Sequence, residues 1–284
     1  MFIKKFNYIF LLMLLISMPA SANTKIRYNE SLLPYKDGIL ISNMGSLSVQ
    51  DKCGYILYYK DGKLKTFIAE GILNKPTAMA IYKNYLYICD RDRILRYNLK
   101  KFDEEPLCIM LNPDDKEAND IAIKDGILYI TVTNSDRIYK LDLKQKILKP
   151  ELWLNFPSPN GIAIKGKKVY ISSITKDYVN IKDENVVYII EDIANPKIKK
   201  LNSTPLLYDG IALSKNGEII YVSDWKTSSI IAINKNGIEK TIYTRKNMTP
   251  ADIALMGNKL LIPNMQNHNV IILNLKNFKE EFIK

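Results

Sequence analysis

The sequence predicts an all-β fold, a six-bladed β-propeller with four antiparallel strands per blade, and three observations predict it. A short apolar motif recurs six times, short β-type runs recur four to a unit, and no stretch shows helical periodicity. Aligned on its small residue, the motif falls at Ala80, Ala122, Ala163, Ala212 and Ala254, with spacings of 42, 41, 49 and 42 residues. Pro34 takes the same position in the first unit, because YKDGILIS from Tyr35 matches IKDGILYI from Ile123.

The third unit gives the reason for each element in order. Ile121 to Ile123 is a short first strand, Lys124-Asp125-Gly126 a turn, and Ile127 to Val132 a second strand rich in β-formers. A polar break at Thr133 to Asp136 follows, then a third strand from Arg137 to Leu143 and a weaker fourth around Leu152-Trp153-Leu154. Six such units match a propeller, whose blades pack around a central channel. An irregular β-sandwich has no reason to repeat one motif at this spacing, and the Gly-His and Trp-Asp signatures of a Trp-Asp-type propeller are absent. Either NTKIRY from Asn23 or EEFIK from Glu280 completes the ring.

Ahead of the first unit, Lys4 and Lys5 precede an unbroken apolar run from Ile9 to Ile16 and an Ala20-Ser21-Ala22 cleavage pattern. Residues 1–22 therefore read as a secretory signal peptide, and the expected location is the periplasm or the medium. The run is shorter than the roughly 18 to 20 residues of a membrane span, and no second long apolar segment follows. Residues 23–284 form one propeller domain of 262 residues. Its basic excess comes from scattered lysines, so it predicts no nucleic-acid partner, and no Walker-type phosphate loop suggests a nucleotide. Cys53, Cys89 and Cys108 allow at most one internal disulfide, with buried free thiols an equal reading.

The first strand of a blade lines the channel, so the residues just before it stand at the mouth. Three residues ahead of the aligned small residue, the six units carry Ser31, Thr77, Asn119, Asn160, Asp209 and Ala251, with Glu30 one residue earlier in the first. Asn-Gly and Asp-Gly make turns on their own account. Three consecutive blades with Asn, Asn and Asp in one register, facing Glu30, read instead as a site. Carboxylate and amide oxygens without thiolate or imidazole favour a hard divalent cation, Ca²⁺ above others, which takes 6 to 8 oxygens at about 2.3–2.6 Å. His268, the one histidine, reads as a solvated loop residue, and alone it excludes a zinc triad and a Ser-His-Asp arrangement.

NESLLP with Glu30, ANDIAI with Asn119, PNGIAI with Asn160 and YDGIAL with Asp209 resemble the six-bladed propellers grouped as senescence marker protein, gluconolactonase and luciferin-regenerating enzyme, with the paraoxonases as distant kin. The resemblance spans nearly all of residues 23–284. It implies that these four residues surround a divalent metal or the substrate above it. The chain departs from the group at Glu117, where the sugar-lactone enzymes carry Arg, and its single histidine excludes a paraoxonase-type pair.

The expectation is a Ca²⁺-dependent lactone or ester hydrolase in which Asp209, as the catalytic residue, or a bound water delivers the nucleophile. The metal set is Glu30, Asn119, Asn160 and Asp209; Asn119, Asp224 and Trp225 are the substrate-binding candidates. Asp90, Asn134 and Asn264 occupy equivalent breaks, and the loops after Asn43 and after Ser173 are long enough to roof the mouth. The rival is a non-catalytic metal-stabilised scaffold of the cell envelope, which predicts a broad open face where an enzyme predicts an enclosed pocket. On the face away from the mouth, Lys36, Lys60, Lys83, Lys124, Lys144, Lys165, Lys215 and Lys235 predict a basic surface that solvation explains most simply and that anionic lipid or envelope polymer would also fit. Oligomeric state is left open.

Overall fold

The computed structural model describes residues 24–48 and 52–284, so the leader reading of residues 1–22 lies outside the described residues. The fold is all-β. Blade one holds β1 (Asn29–Tyr35), β2 (Gly38–Asn43), β3 (Gly54–Lys60) and β4 (Lys63–Leu73), and blade two holds β5 (Pro76–Tyr82), β6 (Tyr85–Asp90), β7 (Arg93–Asn98) and β8 (Leu107–Met110). Blade three comprises β9 (Ala118–Lys124), β10 (Ile127–Val132), β11 (Arg137–Asp142) and β12 (Glu151–Asn155), and blade four β13 (Pro159–Lys165), β14 (Lys168–Ser173), β15 (Val187–Ile190) and β16 (Ile198–Lys200). Blade five comprises β17 (Tyr208–Leu213), β18 (Ile219–Asp224), β19 (Ser229–Asn234) and β20 (Glu239–Thr244). Blade six ends the chain with β21 (Ala254–Met256), β22 (Lys259–Asn264), β23 (Asn269–Asn274) and β24 (Glu280–Ile283). Each blade is a separate four-stranded sheet in chain order.

Short antiparallel runs of Ile, Leu, Val and Tyr bury both faces because each blade is sandwiched between two others. Six apolar clusters result, one for each seam. Leu40 and Ile56 of blade one meet Met79 and Ile88 of blade two, for example, and Val187 of blade four meets Ile220 of blade five. The first strands touch in sequence, β1 to β5, β9, β13, β17 and β21, and β21 returns to β1. They line the channel.

Beside the channel, the pairing of first and second strands breaks at one bulge in each of blades one to five. A bulge leaves an N–H without a ladder partner. In four blades a hydroxyl of the second strand accepts it: Ser31 N donates to Ser42 Oγ (2.8 Å), Asp120 N to Thr131 Oγ1 (2.9 Å), Gly161 N to Ser172 Oγ (2.8 Å) and Gly210 N to Ser223 Oγ (2.8 Å). Three of these hydroxyls donate onward to the next blade's first strand: Thr131 Oγ1 to Asn160 O at 2.6 Å, Ser172 Oγ to Asp209 O, and Ser223 Oγ to Ala251 O at 2.8 Å. Cys89 stands in this position in blade two, where Thr77 Oγ1 makes the crossing to Ala118 O instead (2.8 Å). These bonds fix the mouth residues from blade to blade.

The ring closes without strand exchange. EEFI becomes the outer strand of blade six, paired with β23. NTKIRY adds no strand, but Ile26 is buried in the seam between blades six and one, and Tyr55 Oη donates to Lys25 O at 2.6 Å. A parallel bridge joins Ser31 to Asp252, whose N–H donates to Glu30 O at 3.0 Å. His268 is corrected here from a solvated residue to a half-buried anchor: its Nδ1 accepts Tyr28 N at 3.1 Å, and its ring meets Tyr28 edge-on.

Cys53, Cys89 and Cys108 form no disulfide with one another. On the face away from the mouth Lys60 pairs with Asp37, Lys124 with Asp125 and Lys235 with Glu218, so three of the eight lysines there carry an acidic partner.

Candidate functional site at the channel mouth

Register decides which side chains converge. Equivalent hydroxyl-accepting N–H groups belong to Ser31, Asp120, Gly161 and Gly210, so the residues one step earlier, Glu30, Asn119, Asn160 and Asp209, share one level of the channel. Ser31, aligned by sequence with this level, sits one level below it. The two hairpins are alike, β1 pairing Tyr35 with Gly38 across Lys36-Asp37 as β9 pairs Lys124 with Ile127 across Asp125-Gly126. Gly38 therefore opens β2 where Gly126 closes a turn, so the shared Lys-Asp-Gly string stands one residue out of register with the fold and Glu30 falls in the ring. Gly38 allows the shift, because a Cβ there would lie 2.4 Å from Tyr59 O.

All four side chains are buried, with Glu30 4 %, Asn119 8 %, Asn160 1 % and Asp209 2 % exposed. Glu30 Oε2, Asn119 Oδ1, Asn160 Oδ1 and Asp209 Oδ1 find no hydrogen-bond partner, and neither does Asn160 Nδ2. A buried polar atom is normally satisfied, so four orphaned oxygens at one level of four blades point to something they receive. Among the described residues no three acidic, thiol or imidazole side chains gather as a metal cluster. A cation here would be held by two carboxylates and two amides, a hard donor set that fits Ca²⁺ better than zinc.

A level below stand Asp120 and Asp252. Asp120 accepts Ile121 N at 2.6 Å and, across the seam, Ile162 N at 2.7 Å. Four carboxyls thus face a narrow channel. Burial pushes Asp209 up to about 7, with Asp120 adding to the rise and the Trp225 indole opposing it. Burial also lifts Asp120 to about 7, against its two backbone bonds. Glu30 rises well above the usual range through burial and the charges of Asp209 and Asp120, with Lys75 pulling back; Asp252 rises through burial and Asp120, Glu30 and Asp209. The channel resists holding four negative charges at once.

Above the ring lies a cavity of about 240 Å³. Its floor is Glu30, Thr77, Asn119, Asn160 and Asp209. The loop after Asn43 contributes Met44 and Leu47, and the loop after Ser173 contributes Tyr178, as their lengths predict. Tyr178 faces Trp225 with ring centroids 5.9 Å apart, and Met44, Met265 and Trp225 pack together as one apolar wall. Trp225 is therefore a cavity wall.

Asp224 does not reach the cavity. It is fully buried, with Oδ1 accepting Leu207 N (3.0 Å) and Lys226 N (3.1 Å), and Oδ2 accepting Thr227 N (2.8 Å) and Thr227 Oγ1. Asp90 likewise caps Asn74 N and Lys75 N, both at 2.7 Å, and Asn264 caps Thr249 N at 3.0 Å. Each holds the chain entering its own blade. Asn134 is exposed, outside the cavity lining. Asp224→Ala strands several buried donors at about 1–3 kcal/mol each, so chemical denaturation is expected to show a loss of about 3 kcal/mol or more. Unchanged stability would return Asp224 to a ligand role.

The sequence reading missed Lys75, Arg91 and Lys116, which also line the cavity. They lie in connections of unequal length, where repeat alignment gives no register.

No protein-family model matches the chain, and no curated protein matches it in sequence. Its shape is similar to that of solved structures. A structure of a nidogen/laminin complex matches with TM-score 0.67 and 17% identity, over 90% of this chain and 93% of that one. A streptogramin B lyase matches with TM-score 0.63 and 14% identity, over 92% and 84%. Virginiamycin B lyase from Staphylococcus aureus matches with TM-score 0.56 and 17% identity, over 74% and 69%. At these identities the likeness establishes the propeller fold.

Proposed function

We propose that the protein is an exported, divalent-cation-dependent hydrolase of a small lactone or ester, with its centre at the channel mouth and Ca²⁺ as the cation. One observation carries this reading: four buried, unpartnered oxygens from four blades floor a small, roofed cavity. A concave pocket above the ring suits an enzyme, where a scaffold is expected to present a broad open face. The four-residue pattern shared with the gluconolactonase-type propellers supports the same chemistry, and Glu117 in place of their Arg argues for a different substrate.

Glu30, Asn119, Asn160 and Asp209 would hold the cation, which supplies charge stabilisation for a substrate oxygen when bound. Asp209 is the base or nucleophile. Burial raises its carboxyl in the metal-free ring, and a bound cation would favour the ionised form that accepts a proton. The apolar wall of Trp225, Met44 and Met265 orients the substrate and excludes bulk water.

A panel of lactones and aryl esters with Ca²⁺ tests this. Turnover is expected in the native chain, with a loss of about 100-fold or more in Asp209→Asn and in Glu30→Gln. A folded protein with no turnover above those variants would give way to the second reading, a binding propeller of the cell envelope, which the likeness to a nidogen/laminin complex favours.

A further inference from the structure

The cavity wall is electrically lopsided. Lys75 leads into β5, Arg91 follows β6 and Lys116 leads toward β9, and two bonds draw these segments together: Lys75 N donates to Asp90 Oδ1 at 2.7 Å, and Ala118 N donates to Arg91 O at 2.8 Å. Three cations therefore line the side of blades two and three, with Glu117 as the one acid among them, 3.9 Å from Lys75. The side of blades four, five, six and one is mostly apolar, with Tyr178, Trp225, Met265, Met44 and Leu47 and one polar residue, Gln266. Leu47 is 49 % exposed, so the apolar wall continues out of the mouth.

We infer that the cavity takes a small amphiphilic anion, an organic molecule whose carboxylate lies against Lys75, Arg91 and Lys116 while its apolar body lies along Trp225, Met44 and Leu47. The assignment deepens the hydrolase reading by naming the substrate class of the same site. A guanidinium and two ammonium groups at a partly desolvated wall recognise a carboxylate with charge-assisted bonds.

Trp225 reports on the site, because the other tryptophan, Trp153, meets Tyr129 edge-on in blade three. The probes are 4-phenylbutyrate and its neutral amide, titrated by fluorescence quenching in the native chain, with Trp225→Phe as the blank and titration calorimetry as a second readout. The carboxylate is expected to bind about tenfold more tightly than the amide at low salt, with the preference shrinking at 0.5 M salt. It is expected to fall below about threefold in the Arg91→Gln, Lys116→Gln double variant, whose melting temperature verifies its fold. Equal affinities, or no binding of either probe, would overturn the inference. Failure of the hydrolase reading looks different, namely the carboxylate preference intact with no ester turned over.

Discussion

Without divalent cation, the melting temperature is expected to fall as the pH rises from about 5 to about 8, and Ca²⁺ is expected to reverse most of that fall. The folded chain holds Asp209 and Asp120 near pH 7, against an unfolded value near 4, and raises Glu30 and Asp252 in the same direction. Between those values the native state keeps protons that the unfolded state has released. Stability is therefore fullest below the unfolded value and declines through the folded one. A carboxyl moved by about three units contributes a decline on the order of 4 kcal/mol. On the proposed reading Ca²⁺ would bind the ionised ring, so its stabilisation is expected to grow with pH and to reach roughly 2.7 kcal/mol at ~100 times its dissociation constant. At roughly 2–4 °C per kcal/mol for a chain of this size, calorimetric scans in chelator and in Ca²⁺ read the difference directly. Asp209→Asn is expected to flatten the slope in chelator and abolish the Ca²⁺ response. A flat profile in chelator would show that the ring does not carry buried, proton-holding carboxyls.

Gly210→Ala is expected to destabilise the ring by about 3 kcal/mol or more. A Cβ at Gly210 would lie 2.3 Å from Asp252 Cα and 2.4 Å from Ile253 N, both backbone atoms of the next blade. Nothing flexible stands there to give way. The strands would have to part, and Gly210 N would move off Ser223 Oγ while Ser223 moved off Ala251 O. Asp209 precedes Gly210, so cation affinity is expected to fall with stability. Gly166→Asn is the contrast: Gly166 has φ +60 and open space, a conformation asparagine tolerates, so its change should stay within about 0.5 kcal/mol. Comparable losses in the two variants would remove close blade approach as the reason for Gly210.

The blade plan was legible because its cause is local. Runs such as ILYITV and GILISN can bury both faces only as strands between sheets, and turns such as Asp125-Gly126 punctuate them. Blade three reproduces the reading nearly residue for residue, down to a short helical turn at Thr133–Ser135 in the expected polar break. The ring was legible for Asn119, Asn160 and Asp209, each of which stands three residues ahead of its aligned small residue. Glu30 was assigned one step out, because the alignment matched Lys36-Asp37-Gly38 to Lys124-Asp125-Gly126, whereas the hairpin sets Gly38 opposite Tyr35 as the first residue of β2. Asp224 misled for a physical reason. A carboxylate at a strand end serves backbone capping and ligand binding equally well, and only tertiary contacts distinguish them. The hydroxyl series Ser42, Thr131, Ser172 and Ser223 did leave a signal, a Ser or Thr inside otherwise apolar second strands, which bulges beside it explain.

Closure without strand exchange bears on when activity can begin during synthesis. Glu30 lies in the first blade to be made, yet its strand is tied to Asp252, at the entrance to the last. A nascent chain that has completed five blades already contains Glu30, Asn119, Asn160 and Asp209, but the strand carrying Glu30 has no neighbour on its open side. The four oxygens converge only after blade six docks, so blade six must be made before the ring is complete. A chain truncated before Thr249 is therefore expected to bind no Ca²⁺, though it keeps every candidate ligand.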